Sequence, residues 1–371
     1  MNFDVQRLAQ RSVAVIQENQ DHSGAYLASP NFPVYRYSWL RDGAFIADAM
    51  SRAGAIESAE RFFGWCARLI AARVETIDEL ISRQRSGQRL DHSDFLHARY
   101  TLDGSEGSER WWNFQLDGYG TWLWALDGHA RRHRRPVDPY LEGAVASARY
   151  IAEFWSQPSF DWWEEHPNHV HTSTLASITA GLSALAGWGS VLASLRELAW
   201  EEAQAVRRAI LSRAVVDGHL VKWLDGNDVD ASLIACSTPF ELLAPDDPIT
   251  ASTVGVIEAR LAHGGVHRYV ADTYYGGGEW ILLAALLGWH YRRAGSPSRA
   301  RAQLDWVVTQ ADEQGNLPEQ VSHHLLAPDR YEEWLERWGP IARPLLWSHA
   351  MFLTLAVELG AVKFPLASAS G

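Results

Sequence analysis

Apolar residues recur at spacings of three and four through long, alanine-rich stretches of the chain, as helices buried along one face require. That period predicts helices over 3–20, 40–54, 56–80, 118–133, 138–156, 171–187, 192–214, 230–236, 249–263, 278–294, 296–314 and 345–360. Gly54, Gly187, Gly264-Gly265, and Gly295 with Pro297 stand where these patterns end, as helix-closing residues do. Strand-like runs are few; Val215 to Val221 is predicted to form a hairpin turning at Asp217-Gly218.

The helices alternate in character. Those over 56–80, 138–156, 192–214 and 296–314 carry many charges and suit an outer layer, whereas those beginning at 40, 118, 171, 230, 278 and 345 are poor in charge and rich in small residues, as buried helices are. A loop rich in polar and aromatic residues precedes each inner helix, which places all six loops at one end of a closed double ring. The expected fold is therefore all-α, an (α/α)6 barrel of about twelve helices with short β-hairpins in its loops. No Pro/Ser/Gly linker divides the chain, so 1–363 reads as one domain and 364–371 as a loose tail.

Composition narrows the partners. A formal net charge of −12 opposes binding to nucleic acid or an anionic membrane, both of which demand a basic face. Cys66 and Cys236 are far apart and fit a reduced protein. Met1 to Arg7 has no basic region followed by an apolar one, and no run of about 18 apolar residues occurs, so neither a signal peptide nor a membrane span is expected and the location reads as cytoplasmic. Eighteen tryptophans, most of them in polar loops, suit platforms for stacking on sugars.

Phe160-Asp161-Trp162-Trp163-Glu164-Glu165-His166-Pro167 puts two carboxylates behind two indoles. Large rings strip water from a carboxylate and raise its pKa, which suits a general acid. Gly315-Asn316-Leu317-Pro318-Glu319-Gln320 offers a second carboxylate on a stiffened turn, with the Gln320 amide beside it to help hold water. One protonated and one ionised carboxylate form the pair that hydrolyses a glycosidic bond with inversion. Arg41-Asp42, at the start of a buried helix, presents a fork donor and an acceptor to hydroxyls, or else a structural ion pair; Arg268 stands in a tyrosine-rich loop within reach of the same pocket. His166, His169 and His171, and the pair His323-His324, do not share a spacing that converges on zinc. Neither a nucleophile elbow nor a phosphate loop is present.

Five segments, in order, resemble glycoside hydrolase family 15, the glucoamylase family. They are Tyr35 to Asp42, Gln115 to Gly118, Trp163 to Glu165, Arg268 to Trp280, and Pro318 to Gln320. The resemblance implies Glu164 as general acid and Glu319 as general base, with Tyr35 and Gln320 positioning water. It implies substrate contacts from Tyr35, Trp39, Arg41, Asp42, Trp112, Gln115, Asp117, Trp163, Glu165, Arg268 and Trp280; the spacing around Trp112 differs by about one residue, so Trp111 is the alternative to Trp112 as the pocket tryptophan. No metal or organic cofactor is required, since acid, base and water suffice. Many bacterial members carry an N-terminal β-sandwich for which this chain has no room, so the expected substrate is a small saccharide, isomaltose first, with glucose as product. The α-1,4 linkage, trehalose, and a non-catalytic glucoamylase-like binding domain remain as alternatives.

Overall fold

The computed structural model describes residues 4–364. The chain forms helices α1 (Val5–Glu18), α2 (Leu40–Arg52), α3 (Ile56–Ala71), α4 (Val74–Arg85), α5 (Asp117–His133), α6 (Leu141–Phe154), α7 (Thr172–Ala186), α8 (Ala193–Arg213), α9 (Pro248–Leu261), α10 (Ile281–Arg293), α11 (Pro297–Thr309), α12 (Tyr331–Trp338) and α13 (Leu346–Glu358). A 3-10 segment, Ala231–Cys236, takes one inner position; Asp230 caps it by accepting from the Ser232 amide at 2.8 Å.

The inner elements close on themselves. α2 packs on α5, α5 on α7, α7 on the 3-10 segment, that segment on α10, α10 on α13, and α13 back on α2. Outside them, α3 covers α2, α6 covers α5 and α7, α8 covers α7, α9 covers the 3-10 segment, α11 covers α10 and α1 covers α13. This is the (α/α)6 barrel the alternation predicts. Its centre is tight: a Cβ on Gly120 would lie 2.4 Å from the Ser177 carbonyl oxygen, so only glycine lets α5 and α7 approach so closely. No helix among the described residues is long and apolar enough to cross a membrane.

Three antiparallel pairs decorate the loops: β1 (Ser38–Trp39) with β2 (Arg99–Tyr100), β3 (Val215–Val216) with β4 (His219–Leu220), and β5 (Glu279–Trp280) with β6 (Gln320–Val321). The β3–β4 hairpin turns where predicted, with both Asp217 (φ +49°) and Gly218 (φ +78°) left-handed. The other two pairs join distant loops and frame the site.

Four expectations need correction. The period over 56–80 is interrupted at Arg73, where φ −116° and ψ 13° break the helix, because the Arg73 side chain turns back to the Leu69 carbonyl and across to that of Gly104. The buried residues of α4 keep the same apolar spacing, so the break is invisible in the pattern. Residues 279–280 are strand, not helix, because they pair with β6. α12 falls in no predicted helix: it has no fully buried residue, and its rings pack on the edge of the core only partly buried. Phe364, assigned to the tail, packs against the core; the rest of that tail lies outside the described residues.

Candidate active site

The loops that precede the inner elements enclose a cavity of about 1400 Å³ at one end of the ring. The N-termini of α2, α10 and α13 all open onto it through Arg41, Asp42, Trp280, Leu345 and Trp347. Converging helix N-termini carry partial positive charge and favour anionic groups there.

Glu319 is pinned through its backbone. Its amide donates to the Ala342 carbonyl at 2.9 Å, and its carbonyl accepts from Ile281 N–H at 3.3 Å. The preceding residues are held from α13: Ser348 Oγ donates to the Pro318 carbonyl at 2.7 Å, and Leu317 N–H donates to His349 Nε2 at 3.0 Å. Burial drives the His349 imidazole down to about 3, so it stays neutral and free to accept. The Glu319 carboxylate is 2% exposed. Oε1 accepts from the Tyr35 hydroxyl at 2.9 Å, and Tyr35 shares a second bond with the Tyr274 hydroxyl at 3.0 Å. Oε2 bonds no protein atom. Burial lifts this carboxyl to about 7; the Tyr35 hydrogen bond and the Arg268 charge oppose the rise without cancelling it.

Glu164 lies on the loop between α6 and α7. Asp161 organises that loop: its Oδ1 accepts from the amides of Trp163 and Glu165, both at 2.9 Å. Glu164 itself has φ +65°, a left-handed backbone that is uncommon outside glycine. Its Oε1 accepts from Trp39 Nε1 at 2.6 Å and from Gln115 Nε2 at 3.0 Å. The sequence puts the stronger desolvation beside the tandem indoles. The structure corrects this: Glu164 is half-buried, while Glu319 is the carboxylate removed from water. The ring of Trp162 packs on Phe45, Phe240 and Trp347 at the cavity wall and does not cover Glu164 from solvent.

Arg41 is buried, with Nη1 donating to Gln115 Oε1 at 2.9 Å and Asp117 Oδ2 at 3.0 Å, and Nε 3.4 Å from Asp42 Oδ2. Burial also lifts Asp42, to about 7, with Arg41 opposing and Glu164 adding to the rise. Arg268 forks onto Asp272 at 2.7 and 2.5 Å and reaches Glu165 Oε1 at 3.4 Å. Tyr269 donates its hydroxyl to the other oxygen of Glu165. The loop that bears Arg268 folds back sharply: Gly277 is left-handed (φ +68°), and a Cβ there would sit 2.4 Å from the Asp272 carbonyl oxygen.

Of the residues picked out by sequence, Tyr35, Trp39, Arg41, Asp42, Trp112, Trp163, Glu164, Glu165, Arg268, Trp280 and Glu319 line the cavity. Gln115, Asp117 and Gln320 do not. The first two stand behind Arg41 and Glu164 as supports, while Gln320 spends its amide on the Gly278 N–H and the Tyr274 carbonyl and points away from the space Glu319 faces. Both tryptophans of the 111–112 pair line the wall, but Trp112 is a 37% exposed rim residue, and it is Trp111 that packs on Trp39 and lies parallel to Trp338. Sequence reading assigned no role to Tyr274 or Trp347, or to Trp334 and Trp338 of α12, all of which line the cavity. The one-turn spacing of Trp334 and Trp338 was the available signal.

Polar atoms without a protein hydrogen bond gather on this wall: Asp42 Oδ2, which only an ion pair with Arg41 meets, Glu319 Oε2 and the indole N–H groups of Trp111, Trp280 and Trp347. Buried polar groups are ordinarily bonded, so such a cluster is matched to a ligand bearing many donors and acceptors between apolar faces.

Known proteins bear the same architecture. The chain is 46% identical over 360 residues to an isomaltose glucohydrolase of Kribbella flavida, covering 95% of this chain and 92% of that one. A solved glycosidase variant in complex with glucose is 45% identical and superposes with a TM-score of 0.95 over 97% of this chain and 98% of its own. A bacterial glucoamylase complexed with acarbose, 18% identical, shares the fold at a TM-score of 0.76 over 96% of this chain and 56% of that one. The model of glycosyl hydrolases family 15 matches residues 4–357, and the chain belongs to that family.

Proposed function

We propose that this chain is an inverting, exo-acting α-glucoside hydrolase that releases β-glucose from the non-reducing end of isomaltose and short α-1,6-linked oligosaccharides. The observation that carries the reading is that Glu319, with Oε1 held by Tyr35 and Oε2 free of protein partners, shares one aromatic-walled cavity with Glu164. The linkage rests on the likeness to the Kribbella flavida isomaltose glucohydrolase.

In this mechanism Arg41, Asp42 and Arg268 grip the terminal glucose by its hydroxyls, and Trp39, Trp111 and Trp280 flank it. Glu164 gives its proton to the glycosidic oxygen as the bond to the anomeric carbon breaks. Trp39 and Gln115 occupy Oε1, which leaves Oε2 to carry that proton. A water attacks the anomeric carbon from the opposite face and passes a proton to Glu319, so the oxygen nucleophile and the departing sugar alcohol end on opposite sides. This geometry needs the carboxyl groups roughly 6.5–9.5 Å apart. A base at about 7 is well matched to its task, since a stronger proton acceptor does more work in the transition state provided it is ionised. Catalysis belongs to the ring as one unit, residues 1–363, with soluble saccharides as its partners in a cytoplasmic setting.

Proton NMR of fresh digests of isomaltose, maltose and trehalose tests the reading. The β-anomer of glucose is expected to appear first, and fastest from isomaltose. Initial release of the α-anomer rules out inversion; a preference for maltose or trehalose reassigns the linkage.

The pH profile gives a second check. Because Glu319 must be ionised, kcat/KM is expected to fall as pH drops through about 7. Tyr35→Phe removes a donor that favours the ionised form, so this limb moves to higher pH, by roughly half to one unit. A limb that stays in place or moves down contradicts the assignment.

A further inference from the structure

Lysine is almost unused in this chain: only Lys222 and Lys363 occur among 33 basic residues. Lys363 is exposed, whereas Lys222 is 4% exposed. An ammonium is not left in such a place without partners, since the penalty for burying an unpaired charge is several kcal/mol. Its Nζ lies 3.1 Å from Asp161 Oδ2, 3.1 Å from Asp230 Oδ2 and 3.8 Å from the centre of the Tyr269 ring.

Each of those partners holds the loop that carries Glu164. Asp161 uses its other oxygen to accept from the amides of Trp163 and Glu165, and its carbonyl accepts from Glu164 N–H at 3.0 Å. Asp230 accepts from Trp163 Nε1 at 2.8 Å with the same oxygen that faces Lys222. Tyr269 donates its hydroxyl to Glu165. Lys222 is itself tied to the ring, because its carbonyl accepts from Thr172 N–H at 2.9 Å at the start of α7. Three separate loops therefore meet at one ammonium. The residue in their midst, Glu164, has the left-handed backbone, a conformation that persists only where the surroundings dictate it.

We propose that Lys222 is a positioning residue for proton donation: its ammonium bridges Asp161 and Asp230 and so holds Glu164 in the pose that delivers a proton to the glycosidic oxygen. This rests on the reading of Glu164 as the acid. Lysine suits the role because its point charge can meet two carboxylates and a ring face at once.

The test uses leaving groups. Departure of glucose from isomaltose requires protonation of the leaving oxygen, whereas fluoride departs from α-glucosyl fluoride with far less help. Lys222→Met is expected to lower kcat on isomaltose about 100-fold, the worth of a well-placed acid. On α-glucosyl fluoride the loss should stay under about fivefold, with KM for isomaltose moving by less than about threefold. Lys222→Arg keeps the bridging charge and should recover most of the isomaltose rate. Should Lys222→Met fail to fold because two carboxylates are left facing each other, Lys222→Met with Asp161→Asn keeps an acceptor for the two loop amides and removes one of the charges; the same selectivity is expected of it. Equal losses on both substrates in a variant that melts as the parent does would overturn the proposal. Glu164→Gln, measured alongside, separates the two ideas: if it too loses both activities equally, the assignment of the acid fails, and if it alone shows the selectivity, only the role of Lys222 fails.

Discussion

Glu319→Gln is expected to lower kcat for glucose release from isomaltose by about 10³-fold while leaving KM within a small factor, because an amide cannot take the proton that water must lose. The contacts around the side chain hold its shape whether or not it carries a charge. The backbone is tied on both sides, and the Tyr35 hydroxyl can donate to an amide oxygen as it does to Oε1. The same substitution should make the protein more stable in alkaline solution. A carboxyl raised from 4.5 to about 7 by burial binds its proton more tightly folded than unfolded. Its favourable contribution is complete below about 4.5 and is lost as pH rises through about 7. Above that, ionised Glu319 costs about 3 kcal/mol relative to a neutral side chain of equal size, an upper value since the amide N–H needs a partner. Melting curves at pH 8 should therefore place Glu319→Gln several degrees above the parent, with the difference closing towards pH 4.5. Kinetics and melting together are decisive: a variant that is inactive and no more stable at pH 8 would mean that Glu319 is not the desolvated base that the geometry describes.

The ring was legible in the chain because it follows from a property that recurs. Inner helices such as α7 and α13 carry almost no charge along their length, unlike α8, and each inner one is announced by a loop of tryptophans, arginines and carboxylates. Glu164 and Glu319 were legible for the same reason: each stands in a short run whose chemistry makes little sense as a surface loop. What the sequence does not carry is direction. Gln115, Asp117 and Gln320 have the right side chains in the right segments, yet they turn to Arg41, Glu164 and Gly278, because the backbone of each segment fixes which residue faces inward. Tyr274 was hidden by its neighbours, since nothing in a run of aromatic residues tells which hydroxyl will meet Tyr35. α12 was missed because its rings are shared between the cavity and the edge of the core and none is fully buried, so the usual contrast between buried and exposed faces was missing. The pair β5–β6, which sets Trp280 opposite Gln320 and so brings Glu319 to the wall, joins segments about forty residues apart and leaves no local trace.

Arg268→Met should damage stability and catalysis by separable routes. The guanidinium is 2% exposed, forks onto Asp272 and lies 5.2–5.5 Å from the rings of Trp163, Tyr269, Tyr274 and Trp280. Asp272 is fully buried, and its carboxylate also accepts from Tyr274 N–H at 2.9 Å. Removing the arginine strands that carboxylate, at a cost of about 3–5 kcal/mol in unfolding free energy. Adding Asp272→Asn removes the stranded charge while keeping an acceptor for Tyr274, so the double variant should regain much of the stability. It should not regain activity. The sugar has lost a planar donor, a loss of about 10²–10³-fold in kcat/KM for a preorganised site. Glu319 has also lost a positive charge that favours its ionised form, so the acid limb of the remaining activity should move to higher pH in both variants. Arg268→Lys tests the fork itself: it keeps the charge near Glu319, so the limb should stay close to that of the parent, but one ammonium cannot reproduce the paired contact with Asp272 and also reach Glu165. Recovery of turnover together with stability in the Arg268→Met, Asp272→Asn protein would show that Arg268 acts only as a strut for its own loop.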